Sequence, residues 1–450
     1  MLVGAASSAL SVGIFAGSCL AESPSADTIN VNTAEDEDDF DDEDSDIVRD
    51  PNDYKFRRGN TQGRNGKKSV HICSHANQFM TNCDEVMVFA GNAYPELAKS
   101  VAKELGVPLR SASVGRFNDG EVSVKLEESV RGKDVYIVQP TNSPVNSNLI
   151  ELLLMITTAK YASAKRVTAI IPYFGYQRSS GETDHYKSRE IQVHRTSNLA
   201  CADVARMLET VKLDRLVTFD LQPPGQNIAE GFFTTTDVES IVSVKSDLIM
   251  EHISEHLKSG GMDDPSRGLT VVANHSYCIA MAQLVQKKLK ERLQCDVELG
   301  IIMRTPVASK HETVPSPKHP NSKRSSKNAQ APLKVRHSVR VGNENIEIMG
   351  SIEGRNVLVI DDILDTGTSL ERASKVLHAN GAGRLYFMSN HALLNAQAPQ
   401  KVRDSYFEKI MVVDTSRLPE SKLGQCEKLV KLPIAPIISE VIKEMHFRPK

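Results

Sequence analysis

The stretch Val357-Leu358-Val359-Ile360-Asp361-Asp362-Ile363-Leu364-Asp365-Thr366-Gly367-Thr368-Ser369 decides how this chain is read. An apolar run of strand length meets two adjacent carboxylates, then a small-residue turn, then a segment with helical spacing from Leu370 to Asn380. Residues Asp365 to Ser369 would present backbone N–H groups and hydroxyls at a helix N-terminus, an arrangement that suits a phosphate monoester. Asp361 and Asp362 would accept hydrogen bonds from vicinal ribose hydroxyls or hold a metal-bound sugar. An acidic pair alone is weak evidence. Two carboxylates after a buried strand are costly unless something is paired or bound there, and the Asp-Thr-Gly turn supplies the reason.

The same grammar repeats outward from this motif. Val86–Phe89, Val135–Val138, Val167–Ile171 and Leu216–Phe219 read as strands, separated by helical segments over Tyr94–Gly106, Ser147–Ser163 and Ala200–Val211. After a break near Asp237 the alternation resumes. Helices are expected over Lys245–Leu257 and Ile279–Leu293, and strands over Leu269–Ala273, Glu298–Met303 and Asn356–Ile360. Short β-rich runs alternating with amphipathic helices imply parallel βαβ units. The expected organisation is a leader over 1–84, an N-terminal α/β domain over 85–236 and a C-terminal α/β domain over 237–450. An insertion over 305–341, rich in Ser, Pro, Lys, Arg, His and Asn, interrupts the second.

Composition narrows the function classes. The 450 residues carry a formal net charge of −3, no Trp and 5% aromatics, which argues against nucleic acid as partner. The seven cysteines are scattered and form no C-x-x-C pair, as in a reducing compartment. His71, Cys73, His75 and Cys83 match no standard zinc spacing. Residues 1–21 are apolar, on the edge of spanning length, but the first basic residue is Arg49, so they lack the basic region of a secretory signal. The acidic block over 35–46 reads as a solvated tail. A cytoplasmic protein without a membrane partner is expected, with organelle targeting by the apolar leader as the other reading.

The loop resembles the phosphoribosyl pyrophosphate (PRPP) loop of type I phosphoribosyltransferases and of ribose-phosphate pyrophosphokinases, the PRPP synthetases. The first half resembles the synthetases. It carries Arg116-Phe117-Asn118-Asp119-Gly120-Glu121, the run Glu128 to Gln139, Asn148 to Leu153 and Arg166 to Phe174. Gly231-Phe232-Phe233 and Ile437 to Ile442 continue the match, so the resemblance spans Val86 to His446 apart from the insertion. It implies two tandem phosphoribosyltransferase-like domains, each a mainly parallel sheet flanked by helices. It also implies transfer of the β,γ-pyrophosphoryl group of Mg-ATP to O1 of ribose 5-phosphate, giving PRPP and AMP for nucleotide biosynthesis.

By this resemblance, ribose phosphate binds at Asp361, Asp362, Asp365, Thr366, Gly367, Thr368 and Ser369. Thr368 stands where the synthetases have a second glycine. ATP or ADP contacts Phe117, Asp119 and Glu121, which serve a neighbouring subunit's site, and Arg178. Mg²⁺ is the implied cofactor, with Asp361 and Asp362 as candidate ligands. Departures fall on the transfer machinery. The family's Asp-Leu-His reads Asp220-Leu221-Gln222, and its Pro-Asp-x-Gly-Gly reads Ala273-Asn274-His275-Ser276-Tyr277. Its Lys-x-Arg reads Arg304-Thr305-Pro306, leaving Arg304 as the one catalytic candidate. The expectation is a catalytically impaired or regulatory subunit that binds ribose 5-phosphate or PRPP, as a homo-oligomer or with active synthetase subunits. The alternatives are an active synthetase holding its metal through Asp361, Asp362 and Asp220, a phosphoribosyltransferase acting on a base, and a scaffold binding no ligand.

Overall fold

The computed structural model describes residues 85–178, 200–221, 231–261, 266–293, 295–306, 335–341 and 344–447. The cysteines, histidines and acidic block before residue 85, together with Gln222 and most of the insertion, lie outside the described residues.

The first half is built on strands β1 (Val86–Ala90), β2 (Leu109–Arg110), β5 (Asp134–Val138), β6 (Arg166–Ile171), β7 (Arg215–Phe219) and β8 (Asp237–Ile241). They form one parallel sheet in the order β2-β1-β5-β6-β7-β8. A separate antiparallel hairpin pairs β3 (Ala112–Arg116) with β4 (Val122–Leu126). The central strands are apolar runs because helices cover both faces of a parallel sheet. The helix Pro95–Leu105 ends as its sequence predicts, at Gly106 in the left-handed region (φ 73°).

The second half carries β9 (Leu269–Ala273), β10 (Val297–Pro306), β11 (Val335–Val341), β12 (Glu344–Met349), β13 (Asn356–Leu364), β14 (Leu385–Ala392), β15 (Phe407–Val413) and β16 (Leu429–Leu432). The order is β11-β12-β10-β9-β13-β14-β15-β16, with β12 antiparallel to both of its neighbours and the remaining pairs parallel. The expected α/β class with mainly parallel sheets is what the chain adopts.

Three expectations need correction. The break near Asp237 falls after Ile241, because β8 completes the first sheet beside β7. The helix expected from Lys245 starts at Asp247, after a 3-10 turn over Ser243–Lys245. The insertion is not wholly irregular, because β10 runs on to Pro306 and β11 begins at Val335. The strands β14, β15 and β16 had gone unread.

The halves share one core. Val88, Tyr136 and Phe219 of the first sheet and Val271, Ile360 and Met388 of the second belong to a single cluster of buried side chains. The last helix, Ala435–Phe447, returns to pack on Pro95–Leu105 of the first half. Phe232 and Phe233 are partly buried against the core of the first sheet. Among the described residues no helix is long and apolar enough to cross a membrane.

The returning helix is pinned by charge. His446 Nδ1 lies 2.7 Å from the buried Asp134 carboxylate, which the Arg166 guanidinium also contacts. Burial works against the charge on Asp134, but the hydrogen bonds from His446 and Arg166 outweigh it and hold the carboxyl below its usual range. A carboxyl depressed in the folded state stabilises the fold above its unfolded pKa, and that stability is lost as pH falls through the folded value. Asp134→Asn is therefore expected to lower unfolding free energy at pH 7 by about 3 kcal/mol, with a smaller penalty in acid. Denaturant titrations at the two pH values check this.

Candidate functional site

Strand β13 is buried along its whole length and delivers Asp361 and Asp362 close to its carboxyl end. The chain then turns through Asp365–Gly367, and the helix Thr368–Ala379 begins. Gly367, the residue before this helix, has φ 71°, and a Cβ there would stand 3.3 Å from Ala398 Cα and Lys401 Cβ. A side chain would therefore be strained on both counts. The first N–H groups of the helix have no partner within it and face the loop. A cavity of about 210 Å³ opens here, lined by Asp361, Asp362, Asp365, Thr366, Gly367 and Ser369 with Arg178, His275 and Tyr277. It lies at the carboxyl ends of parallel strands, where open α/β sheets usually take ligands.

The loop is held from several sides. Arg178, from the first half, pairs with Asp365 Oδ2 at 2.6 Å, and Asn395 Nδ2 donates to Asp365 Oδ1 at 2.8 Å. Lys401 Nζ donates to Thr368 Oγ1 at 2.7 Å, and Thr366 Oγ1 lies 3.3 Å from the same oxygen. Thr368 is thus tied into the loop through its hydroxyl, a contact that glycine could not make.

Asp361 is buried beneath the cavity. Its Oδ2 accepts from Asn274 Nδ2 at 2.7 Å and Ser369 Oγ at 3.1 Å, and its Oδ1 accepts from the Asp362 N–H at 3.0 Å. Burial, then the neighbouring Asp362 charge, pushes its carboxyl up to about 7. Asn274 Oδ1 accepts from Arg304 Nη2 at 2.9 Å, which gives a chain Arg304–Asn274–Asp361–Ser369. Arg304 therefore acts on the acidic pair through Asn274. Burial, then the Arg304 charge, lowers His275 to about 4. His275 is neutral at physiological pH, so its 3.7 Å approach to Asp361 Oδ1 is not an ion pair.

Among the described residues the one group of three ligand-type side chains close enough for a shared cation is Cys278, Asp361 and Asp362, with donor atoms within 4.8 Å of one another. Burial, then the two aspartate charges, drives the Cys278 thiol far above its usual range. Asp220 is not in this group. Its Oδ1 accepts from the Ser243 N–H at 2.9 Å, and burial pushes its carboxyl up to about 7.

The structure gathers Asp361, Asp362, Asp365, Thr366, Gly367 and Ser369 of the expected ribose-phosphate residues, with Arg178, into one cavity; Thr368 does not line it and is held by Lys401 instead. Phe117, Asp119 and Glu121 lie elsewhere, at the β3–β4 turn, and none lines it. There Glu121 N donates to Asp119 Oδ1 at 3.0 Å and Phe117 is 59% exposed. Sequence reasoning had not assigned Asn274, Tyr277, Cys278, Asn395 or Lys401. The first two sit in the turn aligned with the family's metal-binding motif and Cys278 directly follows it, which was the available signal.

A carboxyl whose folded pKa is raised to about 7 from about 4 keeps its proton in the fold at pH values where the unfolded chain has lost it. Stability from this group therefore falls as pH rises from about 4 to about 7. In metal-free buffer, Asp361→Asn is expected to raise unfolding free energy at pH 8 by at least about 1 kcal/mol, with no gain near pH 4. Urea unfolding at both values checks it.

Comparisons with known proteins agree with this geometry. Residues 86–211 match the family described as the N-terminal domain of ribose phosphate pyrophosphokinase, and residues 272–449 match the phosphoribosyl synthetase-associated domain. A ribose-phosphate pyrophosphokinase of Ralstonia nicotianae is 34% identical over 356 residues, covering 79% of this chain and 93% of that protein. One from Neisseria meningitidis is 32% identical, covering 81% of this chain and 93% of that protein. The crystal structure of phosphoribosylpyrophosphate synthetase from Mycobacterium smegmatis superposes with a TM-score of 0.61 at 28% identity, covering 80% of this chain and 99% of that one. The chain belongs to the ribose-phosphate pyrophosphokinase family.

Proposed function

We propose that this chain is a ribose-phosphate-binding subunit of the family whose own pyrophosphoryl transfer is impaired, and that it assembles with active synthetase subunits. One observation carries the reading. The phosphate loop and acidic pair are complete, whereas Asn274, standing where the family has a metal-binding carboxylate, is committed to Arg304 and Asp361. Its oxygen is engaged by a guanidinium and its amide by a carboxylate, so it offers no cation the charge that an aspartate would.

In the proposed complex the 5′-phosphate of ribose 5-phosphate or PRPP sits on the N–H groups and hydroxyls of Thr366, Gly367, Thr368 and Ser369. Asp361 and Asp362 accept from the ribose hydroxyls. Arg178 shifts from Asp365 toward the bound anion or a nucleotide. Mg²⁺ fits at Asp361 and Asp362, which offer hard oxygen donors on two buried side chains, and when bound it would neutralise developing phosphate charge. The nearest further donor is the Cys278 thiol, a poor magnesium ligand.

The exposed Phe117 and the Asp119–Glu121 turn are the proposed contribution to an ATP or ADP site on a neighbouring subunit. They support assembly with active copies. Mg²⁺ and cationic clamps supply several kcal/mol of transition-state stabilisation, and each ~1.4 kcal/mol is tenfold in rate, so a weakened set costs several powers of ten. The acidic pair favours one second reading, an active synthetase working with a single cation. We place the protein in the cytoplasm.

A PRPP-formation assay with Mg²⁺, ATP and ribose 5-phosphate, run with and without an active synthetase of the family, separates the readings. The expected result is a rate at least ~10³-fold below the active subunit when the chain is alone, and an altered rate or regulation when the two are mixed. Family-typical activity from the chain alone, abolished by Asp362→Ala, would establish the second reading instead.

A further inference from the structure

A second cavity adjoins the first. It has a volume of about 260 Å³ and shares Asp362 and Tyr277 with the ribose-phosphate cavity. Its wall is largely apolar, from Leu221 on the first half, Val242 just after it, and Met281 and Leu284 on the helix Ile279–Arg292. Among the described residues Lys245 is its one cationic lining residue. A polyphosphate would meet little positive charge here and would face the carboxylates of Asp220 and Asp362.

Among the described residues, two polar side chains in the wall, each more than nine-tenths buried, have an oxygen without a hydrogen-bond partner. Asp220 is 8% exposed, and its Oδ2 has no hydrogen-bond partner, whereas Oδ1 is satisfied by Ser243 N. Asn390 is 6% exposed; its Nδ2 donates to Met281 Sδ at 3.1 Å, and its Oδ1 has no partner. Buried oxygens left unpaired are costly; Asn390 Oδ1 takes a donor, and so does Asp220 Oδ2 when ionised, so the two beside one cavity call for a ligand bearing N–H donors. Tyr277, 42% exposed and stacked on His275 with centroids 5.0 Å apart, supplies an aromatic wall where the two cavities meet.

We infer that this second cavity takes the base of a purine nucleoside 5′-monophosphate, whose ribose lies on Asp361 and Asp362 and whose phosphate lies on the Asp365–Ser369 loop. An amino-bearing purine fits because it combines an apolar ring face with N–H donors for Asp220 and Asn390. The cavity lies just below the ~300–1,000 Å³ of ordinary ligand sites, as suits a site that takes the base alone while the sugar phosphate occupies the neighbouring space. This inference rests on the ribose-phosphate reading and adds the class of ligand to it.

Calorimetric titration of the full chain with ribose 5-phosphate, AMP and GMP tests it. At least one of the two nucleotides should bind tenfold or more tighter than ribose 5-phosphate. In Ala280→Trp, which fills the second cavity from an exposed position on its rim, that ratio should collapse toward one. Leu284→Phe gives the same test one turn further along the same helix face, with thermal melting as the folding control for both. Equal affinities for ribose 5-phosphate and both nucleotides, or a ratio that survives both plugs, would overturn the inference while leaving the loop reading standing. No binding of any of the three would overturn both. Nucleotide binding without ribose 5-phosphate binding, lost in the plugged variants, would uphold the base cavity and remove the loop from the account.

Discussion

Two adjacent carboxylates at the end of a fully buried strand set the terms for everything around them. Asp361 cannot sit among β9, β13 and β14 unless its charge is compensated, and the chain compensates it locally with Asn274, Ser369 and the Asp362 N–H. The compensation is partial, since the carboxyl still rises to about 7. A site that keeps such a pair is built around a ligand's hydroxyls or a cation. Asn274 relieves the repulsion by lending an amide where a third acid would have added to it. That same exchange takes charge away from the position where the family holds metal.

The two halves meet at this site as well as in the core. His391, at the end of β14, is fully buried and lowered to about 4 by burial, so it is neutral. Its Nε2 faces the Asp220 carbonyl at 3.2 Å and must carry the hydrogen, which leaves Nδ1 to accept from Thr415 Oγ at 2.8 Å. A neutral ring in one fixed tautomer thus joins the turn after β7 to the second sheet. Arg178 adds a charged tie to Asp365 on the solvent side. Both cavities therefore take their walls from both halves, and shifting one half against the other would change the two together.

The fold was legible in the sequence wherever a strand is buried on both faces. Val86–Phe89 and Val357–Ile360 read as apolar runs because helices cover both faces of a parallel sheet and leave its central strands without a solvated side. The phosphate loop was legible because a left-handed residue before a helix demands glycine, and Gly367 supplies it. The edge strand β11 was hidden because a strand with a neighbour on one side only needs no apolar signature. Strand β8 was misassigned because its residues Asp237 to Ile241 alternate weakly and sit at the sheet margin. Lys401 and Asn395 were unreadable as site residues, since they come from a later segment that tertiary packing alone brings to the loop.

The central claim is that the loop still holds a sugar phosphate although the transfer positions have changed. Phosphorus NMR of ribose 5-phosphate titrated with the full chain tests it directly. The account predicts a saturable shift of the 5′-phosphate resonance with one site per chain, absent in a folded Gly367→Val variant whose turn cannot keep its left-handed backbone. A resonance that does not move, or that moves equally with the variant, would contradict it.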